Sequence, residues 1–110
     1  MRNMARTFSA LADPTRLGVV EKLMQQGELP VAVLLEDIDM SAPAVSRHLK
    51  VLREAGIVTQ RAEGTKRYYA VAPEAMRAIA DWTIEHRRFW EASLDRLDAL
   101  LAEEGTDSDE

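Results

Sequence analysis

The chain contains no cysteine. That excludes disulfides, thiolate metal sites, cysteine nucleophiles and thiol redox sensing together. It agrees with a reducing, cytoplasmic setting. There is no run of about 20 apolar residues, so no membrane span is expected. The start, Met1-Arg2-Asn3-Met4-Ala5-Arg6, leads into no apolar segment, so no signal peptide is expected either. A glycine-rich phosphate loop and a credible nucleophile–base pair are also missing, which argues against an enzyme. Ser46 and His48 stand two apart on a predicted helix and point to different sides, so they cannot begin a catalytic triad. What remains is a chain of 110 residues, 46% hydrophobic and 30% charged. That is one globular domain with a modest core.

Positive charge is scarce overall, with 14 Lys and Arg against 19 Asp and Glu, a net charge of −5. The distribution is uneven. Residues 41–69 carry six basic and two acidic side chains, a local +4, while residues 103–110 carry five acids and no base. Polyanion binding depends on the local patch, because the field of an exposed charge fades over about 8–10 Å. Residues 1–103 are expected to form the domain, and 104–110 an acidic, disordered tail with nothing apolar to bury.

The punctuation of the chain predicts its elements. Asn3 to Leu11 reads as a short helix with Met4, Phe8 and Leu11 on one face. Asp13 is an N-cap candidate and Pro14 a first helical residue. The second helix then runs to Gln26, with Leu17, Val20, Leu23 and Met24 inward, and ends at Gly27. A third short helix opens at Pro30 and reaches about Asp37. Ser41 caps a fourth, Ala42 to Ala55, closed by Gly56. Ile57 to Arg61 and Lys66 to Val71 read as a hairpin around Ala62-Glu63-Gly64-Thr65. Tyr69 and Val71 share the core parity, and Tyr68 faces the other way. A single long helix from Pro73 to about Glu103 follows. Four helices, two strands and a long last helix, with the third and fourth helices joined by a tight turn, make a mainly α winged helix-turn-helix.

The fourth helix has the pattern of a DNA reader. Val45, Leu49 and Leu52 form its buried stripe. Ala42, Pro43, Ser46, Arg47 and Lys50 lie opposite, with Ser41 at the start. A major groove admits one α-helix and is read from its N-terminal half. Small residues there allow close approach, Ser41 and Ser46 can donate, and Arg47 can make a bidentate contact with guanine. Lys50 suits a phosphate. His48 lies at the border of the two faces, open to a DNA contact or to a partly buried structural role. In the 61–67 wing, Arg61, Lys66 and Arg67 suit phosphates or a minor groove.

About 30 residues of last helix would span roughly 45 Å, longer than such a domain needs. Its apolar residues cover more than one stripe, so Ile79, Trp82, Phe89, Trp90, Leu94 and Leu97, with Met4 and Phe8 of the first helix, are expected at a homodimer interface. A two-fold dimer would present two fourth helices to successive major grooves and read an inverted repeat in double-stranded DNA. The contrasting reading is a winged-helix protein-interaction module that does not touch DNA, which the acidic total charge favours.

Three stretches carry a family resemblance: residues 11–17 (Leu11-Ala12-Asp13-Pro14-Thr15-Arg16-Leu17), residues 40–58 beginning Met40-Ser41-Ala42-Pro43, and Gly64-Thr65-Lys66-Arg67-Tyr68-Tyr69. Together they resemble the ArsR/SmtB regulators over about residues 5–100. The resemblance implies a dimeric winged-helix repressor on an inverted repeat near a promoter, with the first and last helices building the dimer. The family's metal motifs do not carry over. Leu29-Pro30-Val31-Ala32-Val33-Leu34 holds no thiol, Asp81-Trp82-Thr83 holds no histidine, and His86 stands alone among acids. No metal or cofactor is expected. The stretch from Arg88 to Leu97 looks like a non-metal subgroup, whose inducing signal the resemblance does not supply.

Overall fold

The computed structural model describes residues 4–108, with side chains as far as Glu104. It comprises α1 (Met4–Leu11), α2 (Pro14–Gln26), β1 (Leu29–Pro30), α3 (Val31–Glu36), α4 (Ala42–Glu54), β2 (Val58–Glu63), β3 (Lys66–Val71), α5 (Pro73–Glu85) and α6 (Arg87–Ser108). The backbone falls into two compact units, divided between Ala78 and Ile79.

In the first unit the predicted caps are made. Asp13 accepts from the Arg16 N–H at 3.0 Å, and Ser41 Oγ accepts from the Ala44 N–H at 3.3 Å. Each satisfies one of the N–H groups that a helix start leaves unpaired. The end of α4 is a Schellman motif: the Ile57 N–H reaches the Leu52 carbonyl and the Gly56 N–H the Arg53 carbonyl, both at 3.0 Å. Gly56 takes φ +76°, a left-handed angle that a side chain would oppose. The motif turns Ile57 directly into the core, where it is fully buried.

The core joins Val19, Val20 and Leu23 of α2, Leu34 of α3, Val45, Leu49 and Leu52 of α4, then Ile57, Val58 and Tyr69. The stripe predicted for α4 is therefore the buried one. The stripe predicted for α2 is rotated: Leu17 is 42% and Met24 60% exposed, and Val19 faces inward instead. The apolar residues of this helix form one broad arc of nearly half its circumference, so packing against α1 and α4 selects which part of the arc turns inward. Lys22 joins α2 to α3, donating to the Val33 carbonyl at 3.1 Å and to Asp37 at 2.6 Å.

The expected two-stranded ribbon is a three-stranded antiparallel sheet in the order β1-β3-β2. Leu29 pairs with Tyr69 and Pro30 with Tyr68. Pro30 has no N–H to donate, so it is compatible only with this edge position. Between β2 and β3 the turn is Gly64-Thr65, with φ +63° at Gly64 alone, the II′ pattern that suits the twist of a hairpin.

The single last helix expected from Pro73 is two helices, interrupted at His86. The His86 ring Nδ1 lies 2.7 Å from the Trp82 carbonyl, which the His86 backbone N–H also approaches at 3.2 Å. The side chain thus competes for the helical acceptor, and the imidazole stacks on Trp82 with centroids 4.4 Å apart. α6 is helical to Ser108, beyond the expected end near Glu103. Residues 109–110, the last of the expected acidic tail, lie outside the described residues. Among the described residues no helix is long and apolar enough to cross a membrane.

Leu52→Ala, at a fully buried position, is expected to cost about 2–5 kcal/mol in urea unfolding, whereas Met24→Ala should stay within about 0.5 kcal/mol. Equal costs would show that the α2 face has been misassigned.

Candidate nucleic-acid interface

Burying Val45, Leu49 and Leu52 leaves Ser41, Ala42, Pro43, Ser46, Arg47, Lys50 and Arg53 exposed on α4 and its cap. The two kinds of residue are interleaved at helical spacing, so the core contact and the outward display follow from one pattern. Ser41 spends an oxygen lone pair on its cap, yet its hydroxyl proton is free to donate outward. Two cations on this face are engaged: Arg53 donates to Gln60 Oε1 at 2.5 Å, and Lys50 lies 3.9 Å from Glu54. No ion pair or side-chain hydrogen bond ties Arg47 to another described residue.

The wing divides its three basic residues into two kinds. Lys66 and Arg67 are exposed at the tip with no ion pair to another described residue. Arg61 is held from three sides. It clasps Glu28 through Nε and Nη2 at 2.7–3.0 Å, donates to Glu63 at 2.8 Å, and lies 4.5 Å over the ring of Tyr68. Arg61 and Tyr68 are cross-strand partners, which explains the stacking. The Arg61 hydrogen bonds hold the Glu28 carboxyl below its usual range, and Glu28 and Glu63 raise Arg61 still further above neutrality. Arg61 therefore brings little uncompensated charge to the surface and ties the wing to the segment before β1. Glu28 has no motif of its own, and sequence reading missed its part in the wing.

His48 points toward the start of α2. Its Nδ1 lies 3.2 Å from Arg16 Nη1 and 3.9 Å from Asp13 Oδ2, and its side chain is 21% exposed. Arg16 also donates to the Ala10 carbonyl at 2.6 Å and approaches that of Ser9 at 3.5 Å. Asp13 and Arg16 are thus more than a helix cap: they join α1, α2 and α4. The sequence signalled the cap but not this junction.

The expected interface residues are on the surface to differing degrees. In the first unit Phe8 is 38% exposed and Met4 half-buried. In the second, Phe89, Trp90, Leu94 and Leu97 are about half exposed or more, and Ile79 and Trp82 are half-buried. Phe89 and Trp90 pack edge to face, 5.0 Å between centroids, and Arg87 pairs with Glu91 at 2.8 Å. Among the described residues no three His, Cys, Asp or Glu side chains converge as a metal site would require.

A helix buried on one side and basic on the other, set beside a basic ribbon, defines a winged helix-turn-helix transcriptional regulator. Comparison with known proteins narrows the class. Residues 13–60 match the family model described as "Bacterial regulatory protein, arsR family". The HTH-type transcriptional regulator Rv2034 of Mycobacterium tuberculosis is 40% identical over 107 residues, covering 97% of this chain and 96% of that one. The arsenical resistance operon repressor of Escherichia coli is 46% identical over 66 residues, 60% of this chain and 56% of its own length. The crystal structure of an ArsR family transcriptional regulator, RHA00566, superposes with a TM-score of 0.72 at 32% identity, covering 80% of this chain and 96% of that one. The chain belongs to the ArsR family of transcriptional regulators, and its relatives are regulators rather than enzymes.

The Asp13 cap has a pH signature. The Arg16 N–H bond lowers the Asp13 carboxyl pKa; partial desolvation opposes it and the charges of His48 and Arg16 add to it. A depressed folded-state value means that the contribution is complete above the ordinary carboxylate pKa of about 4 and is lost as pH falls through the folded value. Asp13→Asn retains a cap acceptor without that titration. Thermal unfolding followed from about pH 6 to about pH 2 should therefore show a shallower acid loss in the variant. Parallel acid profiles would sink this account of the cap.

Proposed function

We propose that the protein is a homodimeric repressor that binds an inverted repeat in double-stranded DNA, with α4 in the major groove and the 61–67 wing on phosphates or in the minor groove. The observation that carries the reading is Arg47. It stands beside Ser46 on the exposed face of α4, untied to any described residue, while the other face of the helix is locked into the core. A rigid helix with a free guanidinium suits bidentate contact with guanine O6 and N7. Ala42 and Pro43 let the backbone approach, Ser41 and Ser46 donate, and Lys50, Lys66 and Arg67 neutralise phosphates. Arg61, saturated by Glu28 and Glu63, shapes the wing more than it contacts DNA. The total charge of −5 does not oppose this, because the acids concentrate outside residues 41–69.

Dimerisation is supported by the exposed Phe89, Trp90, Leu94 and Leu97 in the second unit and by the exposed Phe8 in the first. Two-fold pairing would place the two α4 helices about 34 Å apart, one turn of duplex. Repression is favoured by relatives whose names describe repressors, among them that of Escherichia coli. With no cysteine in this chain, its inducing signal is not captured by thiolates.

Selection from a random DNA pool is expected to return a palindrome. Binding should weaken with salt at a log–log slope of about −0.9 per neutralised phosphate. Arg47→Ala should cost about 1–3 kcal/mol at one base pair of each half-site and relax preference there. Lys66→Ala should weaken all sequences alike and reduce the salt slope by about one. Changed sequence preference in the Lys66 variant and not in the Arg47 variant would reverse these roles. Absence of any bound duplex at low salt would favour the protein-interaction reading instead.

The dimer has its own check in sedimentation equilibrium. Leu94→Glu combined with Leu97→Glu should convert a dimer into a monomer at micromolar concentration. A wild-type monomer, or an unaffected dimer, would count against the assigned interface.

A further inference from the structure

Arg16 addresses three partners on two other helices, and the regulator's expected contacts leave its purpose unexplained. Its Nε and Nη2 address the Ala10 and Ser9 carbonyls at the end of α1, and its Nη1 addresses His48 on α4. A guanidinium has only donors to offer. Nδ1 of His48 must therefore accept, and the ring proton of the neutral imidazole must sit on Nε2. The rival tautomer would direct an Nδ1–H at a guanidinium N–H. Among the described residues no acceptor lies within hydrogen-bond range of it: Asp13 Oδ2 is 3.9 Å away and already accepts from the Arg16 N–H. Among the described residues Nε2 has no partner, and no buried side-chain nitrogen lacks one. Nε2 therefore reaches solvent, on a helix whose neighbouring residue is Arg47.

We propose that Arg16 is a positioning residue for DNA recognition, fixing His48 in the Nε2–H tautomer so that its solvent-side nitrogen donates a hydrogen bond to an acceptor on the duplex. This rests on the reading that α4 enters a groove. The acceptors that such a donor fits are a phosphate oxygen, a purine N7 or a guanine O6. Arg16 itself stays clear of the duplex, anchored to the end of α1. The same guanidinium therefore couples the orientation of α1 to what α4 presents, a restraint that a mobile surface histidine would lack.

Nitrogen NMR of the full chain labelled at histidine reads the tautomer without DNA. The wild type should show His48 protonated on Nε2, and Arg16→Gln should give a mixture. Affinity for the selected operator should fall about tenfold in Arg16→Gln and in His48→Phe, and little further in the double variant, because the two act as one unit. His48→Asn, which keeps an acceptor and a donor, should restore binding to within about threefold of wild type. A loss shared by all sequences assigns the acceptor to phosphate, and a loss at one base pair assigns it to a base edge. An Nδ1–H wild type, additive losses, or full affinity in His48→Phe would overturn the proposal. Should Arg16→Gln fail to fold by circular dichroism, the wild-type tautomer and the two His48 variants decide it. A wild type that binds no duplex defeats the operator reading and the donor role, while the tautomer still tests the part assigned to Arg16.

Discussion

The packing of α4 on its buried stripe is the constraint from which the rest follows. Val45, Leu49 and Leu52 are removed from water together with Ile57, the residue that the α4 C-terminal turn delivers. Burial of such side chains stabilises by about 1.5–3 kcal/mol each, far more than any exposed contact in this chain can supply. Once that face is committed, the helix cannot rotate about its axis. Ser46, Arg47 and Lys50 are then presented outward at fixed angles. A helix that meets a partner surface needs its backbone held in this way, so that its side chains start from fixed positions.

Charge is organised by engagement rather than by total. Basic residues of the 41–69 stretch meet three different fates. Arg61 is neutralised by Glu28 and Glu63 and stacks on Tyr68, so it serves the shape of the wing. Lys50 and Arg53 have partners on or near their own helix. Arg47, Lys66 and Arg67 have no ion pair with another described residue. A count of +4 cannot separate these groups, yet the last meets a polyanion with no partner to give up, and Lys50 gives up only a long exposed contact at 3.9 Å. The net −5 of the chain and its membership of a DNA-binding family are therefore compatible.

The turn at Asp13-Pro14 shows how one local motif can acquire a distant use. As a helix start it needs nothing beyond the carboxylate and the following N–H groups. The fold brings it against α4, and Arg16 then spans three helices through Ala10, Ser9 and His48. A similar economy occurs at His86, where a ring nitrogen takes part of a helical acceptor and stacks on Trp82, ending one helix and starting another.

The order of elements, the caps at Asp13 and Ser41, the glycine exits and the α4 stripe were legible from residue order, because each depends on neighbours within a turn or two. The apolar character of the last segment was legible too, since its apolar residues recur on more than one stripe of a helix. The inward face of α2, the strand at Leu29–Pro30 and the break at His86 were not. In α2 the apolar arc is broader than the contact it makes, and only the packed neighbours choose which part of it is buried. Two residues have no periodicity, so β1 exists only because β3 lies beside it. The contacts of Arg16 with His48 and of Arg61 with Glu28 join positions 32 and 33 residues apart. Local physics acts along the chain and can be read from it. Pairing across such distances depends on where the core brings the elements together, and that was decided by the tertiary structure alone.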